Sequence, residues 1–393
     1  MVLEFPGSPG TIMAEPLQRV LVTGVTGFIG SHVARVAQLS GLAVRGTVRG
    51  TAHYGIEQAV PGIELVNVDL LDSSEQELVD AMSGCTYLAH VASPFPGSDV
   101  SDAEMKTAIE GTSKVLRAAK KAGVMRVVLT SSVAAIGGSP EKSKGTAANP
   151  YTSADWSPDS MQSSYAVSKT QAEKGAWALA AELGLKMTTI HPSFVQGPML
   201  LPRAPTSTAM AKRILEGTMP AVPAIGMNVV GVVDVAEAHV KALLAHDTAG
   251  ERLVVAAGNL LMTDLAVAIK EAYGADGWPI KTMAIPYVGL WLYSFVDKQA
   301  AMVLGSWRKE TYYDCKPTET LLGRPLQPPM EAALEMAKSL IELGGWALPS
   351  GRSTGVDGMM EAPSSRTGLT PMTWATGRTA TSYAITKGAG PSQ

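Results

Sequence analysis

From residue 19 onward the chain alternates short β-branched or apolar runs with longer stretches of helical period, a pattern that folds as a parallel sheet wound with helices. Runs at 19–23, 42–48, 63–68, 87–91, 126–130 and 186–191 predict six strands before the chain turns at Pro192. Helical patterns at 28–40, 102–122 and 163–183 supply the crossovers. The expected fold class is α/β, a doubly wound parallel sheet with a smaller C-terminal lobe. Past Pro192 the composition shifts toward Pro, Met and Gly, as expected where loops build a pocket. A strand near 229–233 leads into a helix over 234–245, followed by a strand at 252–256 and a closing helix at 330–343. The expected division is a dinucleotide-binding domain over 18–192 and a mainly substrate-binding lobe over 193–346.

The ends of the chain read differently. Residues 1–17 hold Pro6, Pro9 and Pro16 and lack the basic start and apolar middle of a signal peptide, so a flexible extension is expected. Residues 347–393 are rich in Gly, Ser, Thr and Pro with little apolar period, so a disordered tail is expected. Among 393 residues, 32 are basic and 35 acidic, for a net charge of −3 without blocks of either sign. That removes the electrostatic footprint of a nucleic-acid binder and leaves a small molecule as the expected partner. No apolar run is long enough to span a bilayer, so a soluble, cytoplasmic protein is expected. Cys85 and Cys315 lie far apart without metal-ligand spacing and give no support to a disulfide framework or zinc site, in keeping with a reducing compartment.

Gly24-Val25-Thr26-Gly27-Phe28-Ile29-Gly30 follows the first strand and opens the first helix. A glycine turn in that context brings backbone close to a pyrophosphate, whose charge meets the helix N-terminus. Gly24 permits the turn, Gly27 keeps a side chain off the phosphates, and Gly30 lets helix and strand pack closely. The fold is thus Rossmann-type. At the end of the second strand, where an acid would grip the ribose of NAD, stands Arg49. A guanidinium there suits a 2′-phosphate, so NADP(H) is the expected cofactor, with Arg45 as a possible helper. Asp69-Leu70 ends the third strand and is expected either to meet the adenine or to close a turn.

Tyr165 and Lys169 lie four residues apart on a predicted helix, which puts phenol and ammonium on one face about 6 Å apart. A fixed cation favours the phenolate and is expected to lower the Tyr165 pKa toward a range useful for proton transfer. Tyr165 would protonate a carbonyl oxygen as hydride reaches carbon, and Lys169 would tune it and hold the nicotinamide ribose. Ser131 and Ser132 end the fifth strand at the carboxyl edge of the sheet, where one of them can bond the carbonyl or cap a turn. Three segments leave that edge and are expected to line the pocket: 93–96, the loop after Ser132, and 194–201. Phe95 and Phe194 are the candidate apolar walls.

Together the glycine turn, Leu129-Thr130-Ser131-Ser132-Val133, the Tyr165–Lys169 spacing and His191-Pro192-Ser193-Phe194-Val195-Gln196-Gly197-Pro198 resemble an extended short-chain dehydrogenase/reductase. The stretches 44–49, 88–94 and 233–240 are similar to the dihydroflavonol reductase, cinnamoyl-CoA reductase and yeast methylglyoxal reductase group. The resemblance covers roughly residues 19–343. It implies Ser132 as the catalytic serine. It also implies pyrophosphate contacts from Thr26, Phe28 and Ile29, Ala92 beside a ribose, and Pro192, Ser193 and Val195 along the nicotinamide.

The leading expectation is NADPH-dependent reduction of a ketone or aldehyde. The alternatives are an NAD-retaining nucleotide-sugar epimerase or dehydratase, a hydroxysteroid-type dehydrogenase, and a non-catalytic NADP-binding protein. Arg49 in place of an acid argues against the first, and the Ser132, Tyr165 and Lys169 set against the last. His32, His90, His191 and His239 show no metal-binding spacing and are expected as packed or strand-end side chains. Tyr287, Trp291, Tyr293 and Phe295 are expected as the core stripe of a helix, or else as a pocket wall.

Overall fold

The computed structural model describes residues 18–51, 53–92, 102–160, 163–202, 206–295, 301 and 303–343, with backbone alone at 102–108 and 206. The expectations for 1–17, for Phe95 and its neighbours Ser93 and Pro96, and for 347–393 fall outside these residues.

Seven parallel strands form the central sheet: β1 (Arg19–Val22), β2 (Ala43–Val48), β3 (Glu64–Asn67), β4 (Tyr87–His90), β5 (Arg126–Thr130), β6 (Met187–Pro192) and the later Arg252–Val255. Their order places Arg252–Val255 at one edge, then β6, β5, β4, β1, β2 and β3. The order reverses between β1 and β4, and ligands of open α/β sheets bind at such a switch point. Helices α1 (Phe28–Leu39), α2 (Ile56–Ala59), α3 (Glu75–Met82), α4 (Asp102–Lys121) and α5 (Ser163-capped, Ser164–Leu183) fill the first half.

Strand periodicity explains the layers. Val20, Val22, Ala89 and Val128 point to the face covered by α1, with Val33, Ala34 and Ala37. Leu21, Leu88, Val127 and Leu129 point to the other face, against Leu78, Leu116, Ala176 and Ala180 of α3, α4 and α5. With both faces covered, the strands are buried runs, and each fully buried Val or Leu contributes roughly 1.5–3 kcal/mol. Local chemistry sets the ends: Ser74 and Glu77 form a capping box on α3, and Gly184, at φ 64°, terminates α5 in the left-handed region.

Beyond Pro192 come β7 (Phe194–Gln196), α6 (Ala209–Leu215), β8 (Val222–Pro223), β9 (Gly226–Gly231), α7 (Val232–Leu244), β10 (Arg252–Val255), β11 (Gly258–Leu261), α8 (Met262–Tyr273) and β12 (Ala284–Ile285). A second sheet runs β11-β9-β7, and β12 pairs with β8. The stretch assigned to the lobe does not stay in it. Helix α7 packs beside α1, and β10 pairs with β6 in the main sheet. The closing helix spans Pro329–Leu343.

One expectation fails here. The aromatic group does fall partly on a helix, Tyr287–Tyr293, but it is no core stripe: Leu290 alone of that helix is buried. Tyr287, Trp291, Tyr293 and Phe295 are all exposed. A seven-residue helix makes barely two turns, too few to align a wide apolar face with a neighbour.

Candidate active site

The glycine turn is shaped by backbone contacts. Gly24 has φ 69°, and its N–H donates to Thr47 Oγ1 at 3.0 Å. A Cβ on Gly30 would lie 2.2 Å from the Gly24 carbonyl oxygen, and one on Gly24 would lie 2.9 Å from Ala92 Cβ. Ala92 is held there because its N–H, like that of Val91, donates to Thr23 Oγ1 at 3.0 Å, and His90 Nδ1 completes that hydroxyl's bonds. Helix α1 begins at Gly27 with no side-chain cap and no acid in its first turn. Its positive end therefore meets no anionic side chain of its own, which fits an anionic ligand.

Residues 194–201 run alongside the glycine turn and α1. His32 Nε2 donates to the Pro198 carbonyl at 2.8 Å, and Met199 and Leu201 are buried. A small cleft separates Thr26, Gly27, Phe28 and Ser31 from Met199, Leu200 and Leu201. Phe194 is the exposed member, at 36%, whereas Val195 packs into the core and offers a ligand only its backbone. Pro192 closes β6, and the buried Ser193 Oγ and His191 Nδ1 have no hydrogen-bond partner among the described residues. Orphaned polar atoms at the end of a strand on the sheet's carboxyl edge suit a polar ligand such as a dinucleotide.

The two arginines of the second strand part company. The Arg49 side chain is 75% exposed, just past the end of β2, with Asp69 Oδ2 3.9 Å away. Arg45 cannot assist it. Its guanidinium is buried, donating to the carbonyls of Ala81 and Ser83 at 2.8 Å and pairing with Glu64 at 2.8 Å. Asp69 closes a turn, accepting from the N–H groups of Leu71 and Asp72 through Oδ1, while Leu70 packs against the core.

On the catalytic flank Tyr165 opens α5 with Lys169 one turn further along it, and Ser132 lies just past the end of β5. Ser132 hydrogen-bonds the Tyr165 phenol and also accepts from Ala134 N–H at 3.1 Å, so it caps the following turn as well. Ser131 faces away and donates to Glu173 Oε2 at 2.6 Å. Burial pushes the Tyr165 phenol above its ordinary value, with the Ser132 hydrogen bond acting against it. The direction is the opposite of the lowering expected from Lys169: burial sets it, and the Ser132 hydrogen bond is what opposes it. Burial draws Lys169 down to about 8, opposed by the charge of Glu173.

Glu173 and Arg252 escaped the sequence reading. Glu173 sits one further helical step along the Tyr165–Lys169 stripe, which was the available signal. Its pairing with Arg252, at 2.7 Å across 79 positions, left none. The four histidines are buried. Burial takes His32, His90 and His239 down to about 4. Among the described residues no group of three His, Cys, Asp or Glu side chains could hold a metal, and no helix is long and apolar enough to cross a membrane.

The profile of the NAD dependent epimerase/dehydratase family matches residues 20–257. The chain is 32% identical over 265 residues to the dihydroflavonol 4-reductase of Zea mays, covering 65% of this chain and 74% of that one. It is 36% identical over 231 residues to cinnamoyl-CoA reductase 1 of Oryza sativa subsp. japonica, covering 57% and 67%. The solved structure of the yeast methylglyoxal/isovaleraldehyde reductase Gre2 complexed with NADPH superposes with a TM-score of 0.67. That match covers 84% of this chain and 99% of that one at 24% identity, a likeness of fold.

Proposed function

The chain belongs to the NAD dependent epimerase/dehydratase family, and from that premise we propose that it is an NADP(H)-dependent reductase converting a ketone or aldehyde to the alcohol, with Tyr165 as proton donor. The Ser132–Tyr165 hydrogen bond beside Lys169 is the observation that carries this reading. The relatives named as reductases support the reaction class, and the NADPH in the Gre2 complex supports the cofactor.

The residues of the nucleotide flank fit that cofactor. Gly24, Gly27 and Gly30 keep the turn clear, and the backbone of Thr26, Phe28 and Ile29 together with the α1 N-terminus would hold the pyrophosphate. Exposed Arg49 would take the 2′-phosphate. Asp69 and Leu70 would border the adenine, Ala92 a ribose, and Pro192, Ser193 and the Val195 backbone the nicotinamide. When bound, NADPH supplies the hydride that forms the new C–H bond.

This chain's part is to hold and deliver the proton. The phenol, kept protonated by burial, donates a hydrogen bond to the carbonyl oxygen, and Ser132 fixes the angle of approach. As the oxygen gains negative charge, the Tyr165 proton passes to it and completes the alcohol. The Lys169 ammonium then stabilises the phenolate left behind. Phe194 is the described candidate for the apolar wall around the carbonyl. Arg49, where an acid would bind the ribose of NAD, separates this reading from an NAD-retaining epimerase.

The test is Tyr165→Phe, followed by the absorbance of reduced nicotinamide with aldehydes, diketones and flavanonols. Reduction should fall by roughly 10²–10⁴-fold while NADPH still binds, because the ring packs and only the proton is gone. Undiminished turnover would sink the mechanism.

A further inference from the structure

We propose that Glu173 is a positioning residue of the catalytic centre: it clamps Ser131 from behind, so that the adjacent Ser132 hydroxyl stays on Tyr165. The inference rests on the reductase reading above.

Tyr165, Lys169 and Glu173 follow one another at four-residue steps along one stripe of α5. Glu173 ends that stripe buried at 2% exposure. Oε2 accepts from Ser131 Oγ at 2.6 Å and His191 Nε2 at 2.8 Å. Oε1 accepts from Arg252 Nε at 2.7 Å, Trp177 Nε1 at 3.2 Å and Thr189 Oγ1 at 3.4 Å. A carboxylate offers about four lone-pair sites, so these donors saturate it and leave it one orientation.

Ser131 is the link to chemistry. Its N–H donates to the Ile190 carbonyl at 2.8 Å, and Ser132 is extended at φ −162°, ψ 154°. Ser131 and Ser132 share a peptide unit, so fixing Ser131 against Glu173 fixes the backbone from which the Ser132 hydroxyl reaches Tyr165.

A second arm reaches the far side of Ser132. Arg252 donates to the Ser153 and Asp155 carbonyls at 2.6 and 2.7 Å and stacks 3.7 Å over the Trp156 ring. Ser157 then bonds the Ala134 and Gly137 carbonyls, and its N–H donates to Ala135. The turn that opens at Ser132 is therefore held from both sides by one carboxylate. Stability alone explains such a network poorly, because well-packed apolar side chains often replace a buried ion pair without loss.

Ser131→Ala tests the first arm with little change in volume. It should lower kcat about tenfold while leaving the KM for the carbonyl, the NADPH dissociation constant and the melting temperature near wild type. A merely structural contact would move melting temperature and spare kcat. Glu173→Gln tests both arms by hydrogen exchange of the cofactor-free protein. Amides at 131–135 and 153–157 should exchange faster while those of β1 to β3 do not change. Wild-type kcat in Ser131→Ala, or unchanged exchange in both segments, overturns the clamp. If Glu173→Gln does not fold, exchange at 132–135 in Ser131→Ala decides instead. Tyr165→Phe assayed alongside separates the two claims: if it keeps turnover the reductase reading fails, while the exchange result still judges the clamp.

Discussion

At the β1–β2 side of the sheet edge the groups facing outward are backbone and one exposed guanidinium, whereas at the β5–β6–β10 side they are side chains tied to a buried carboxylate. Arg49 is 75% exposed, with the part-exposed Asp69 3.9 Å away, and losing that pairing strands no buried charge. Arg252 is 9% exposed against a Glu173 side chain at 1%, and its removal strands a charge. The contrast shows where selectivity and folding can be separated. A function carried by an exposed tip can change without cost to the fold, whereas a buried charge pair cannot be broken without that cost.

The largest effect follows on the catalytic flank. Arg252→Met should cost about 3–5 kcal/mol in urea unfolding, because it leaves the Glu173 carboxylate without its cation in a dry site. Burial would raise the Glu173 carboxyl, and the bonds and charges of His191 and Arg252 hold it well below the usual carboxylate range. Adding Glu173→Gln should recover part of the loss, since the pair then goes as a unit. A single variant as stable as wild type would erase the contrast between the flanks.

On the nucleotide flank, Arg49→Asp should weaken NADPH by about ten- to a hundredfold, the worth of charge-assisted bonds of roughly 1.5–3 kcal/mol. NADH should bind as before or better, because the carboxylate can accept from a ribose hydroxyl that NADPH lacks. The melting temperature should not move. If both cofactors weakened together, Arg49 would be structural, and both flanks would obey the same rule.

The uneven legibility of the sequence follows the same line. The α/β sheet was readable because buried parallel strands are short apolar runs, and 126–130 matches β5 to the residue. The glycine turn was readable because its meaning lies in adjacent backbone. Helix α3 was overlooked: it is only eight residues long, half of them polar, although Ser74 and Glu77 carry its capping box. What no local pattern carries is the fate of a side chain in three dimensions. Spacing placed an ammonium beside Tyr165 but did not register the burial that raises its phenol. Residue type grouped Tyr287, Trp291, Tyr293 and Phe295 as core, yet the fold leaves them exposed.

Arg45 gives the smallest expected change in cofactor binding and the sharpest control. It lies four residues before Arg49, and by type and position either could serve a 2′-phosphate. Its guanidinium instead closes the C-terminal end of α3, where the Ala81 and Ser83 carbonyls lack helical partners, and it pairs with Glu64. Arg45→Met should therefore lower stability by roughly 1–2 kcal/mol, since it strands the buried Ala81 carbonyl and the part-buried Ser83 carbonyl. The dissociation constants of NADPH and NADH, measured where the variant is fully folded, should both equal those of wild type. A selective loss of NADPH would mean that Arg45 leaves its carbonyls when the phosphate arrives, and the nucleotide flank would then depend on a buried side chain after all.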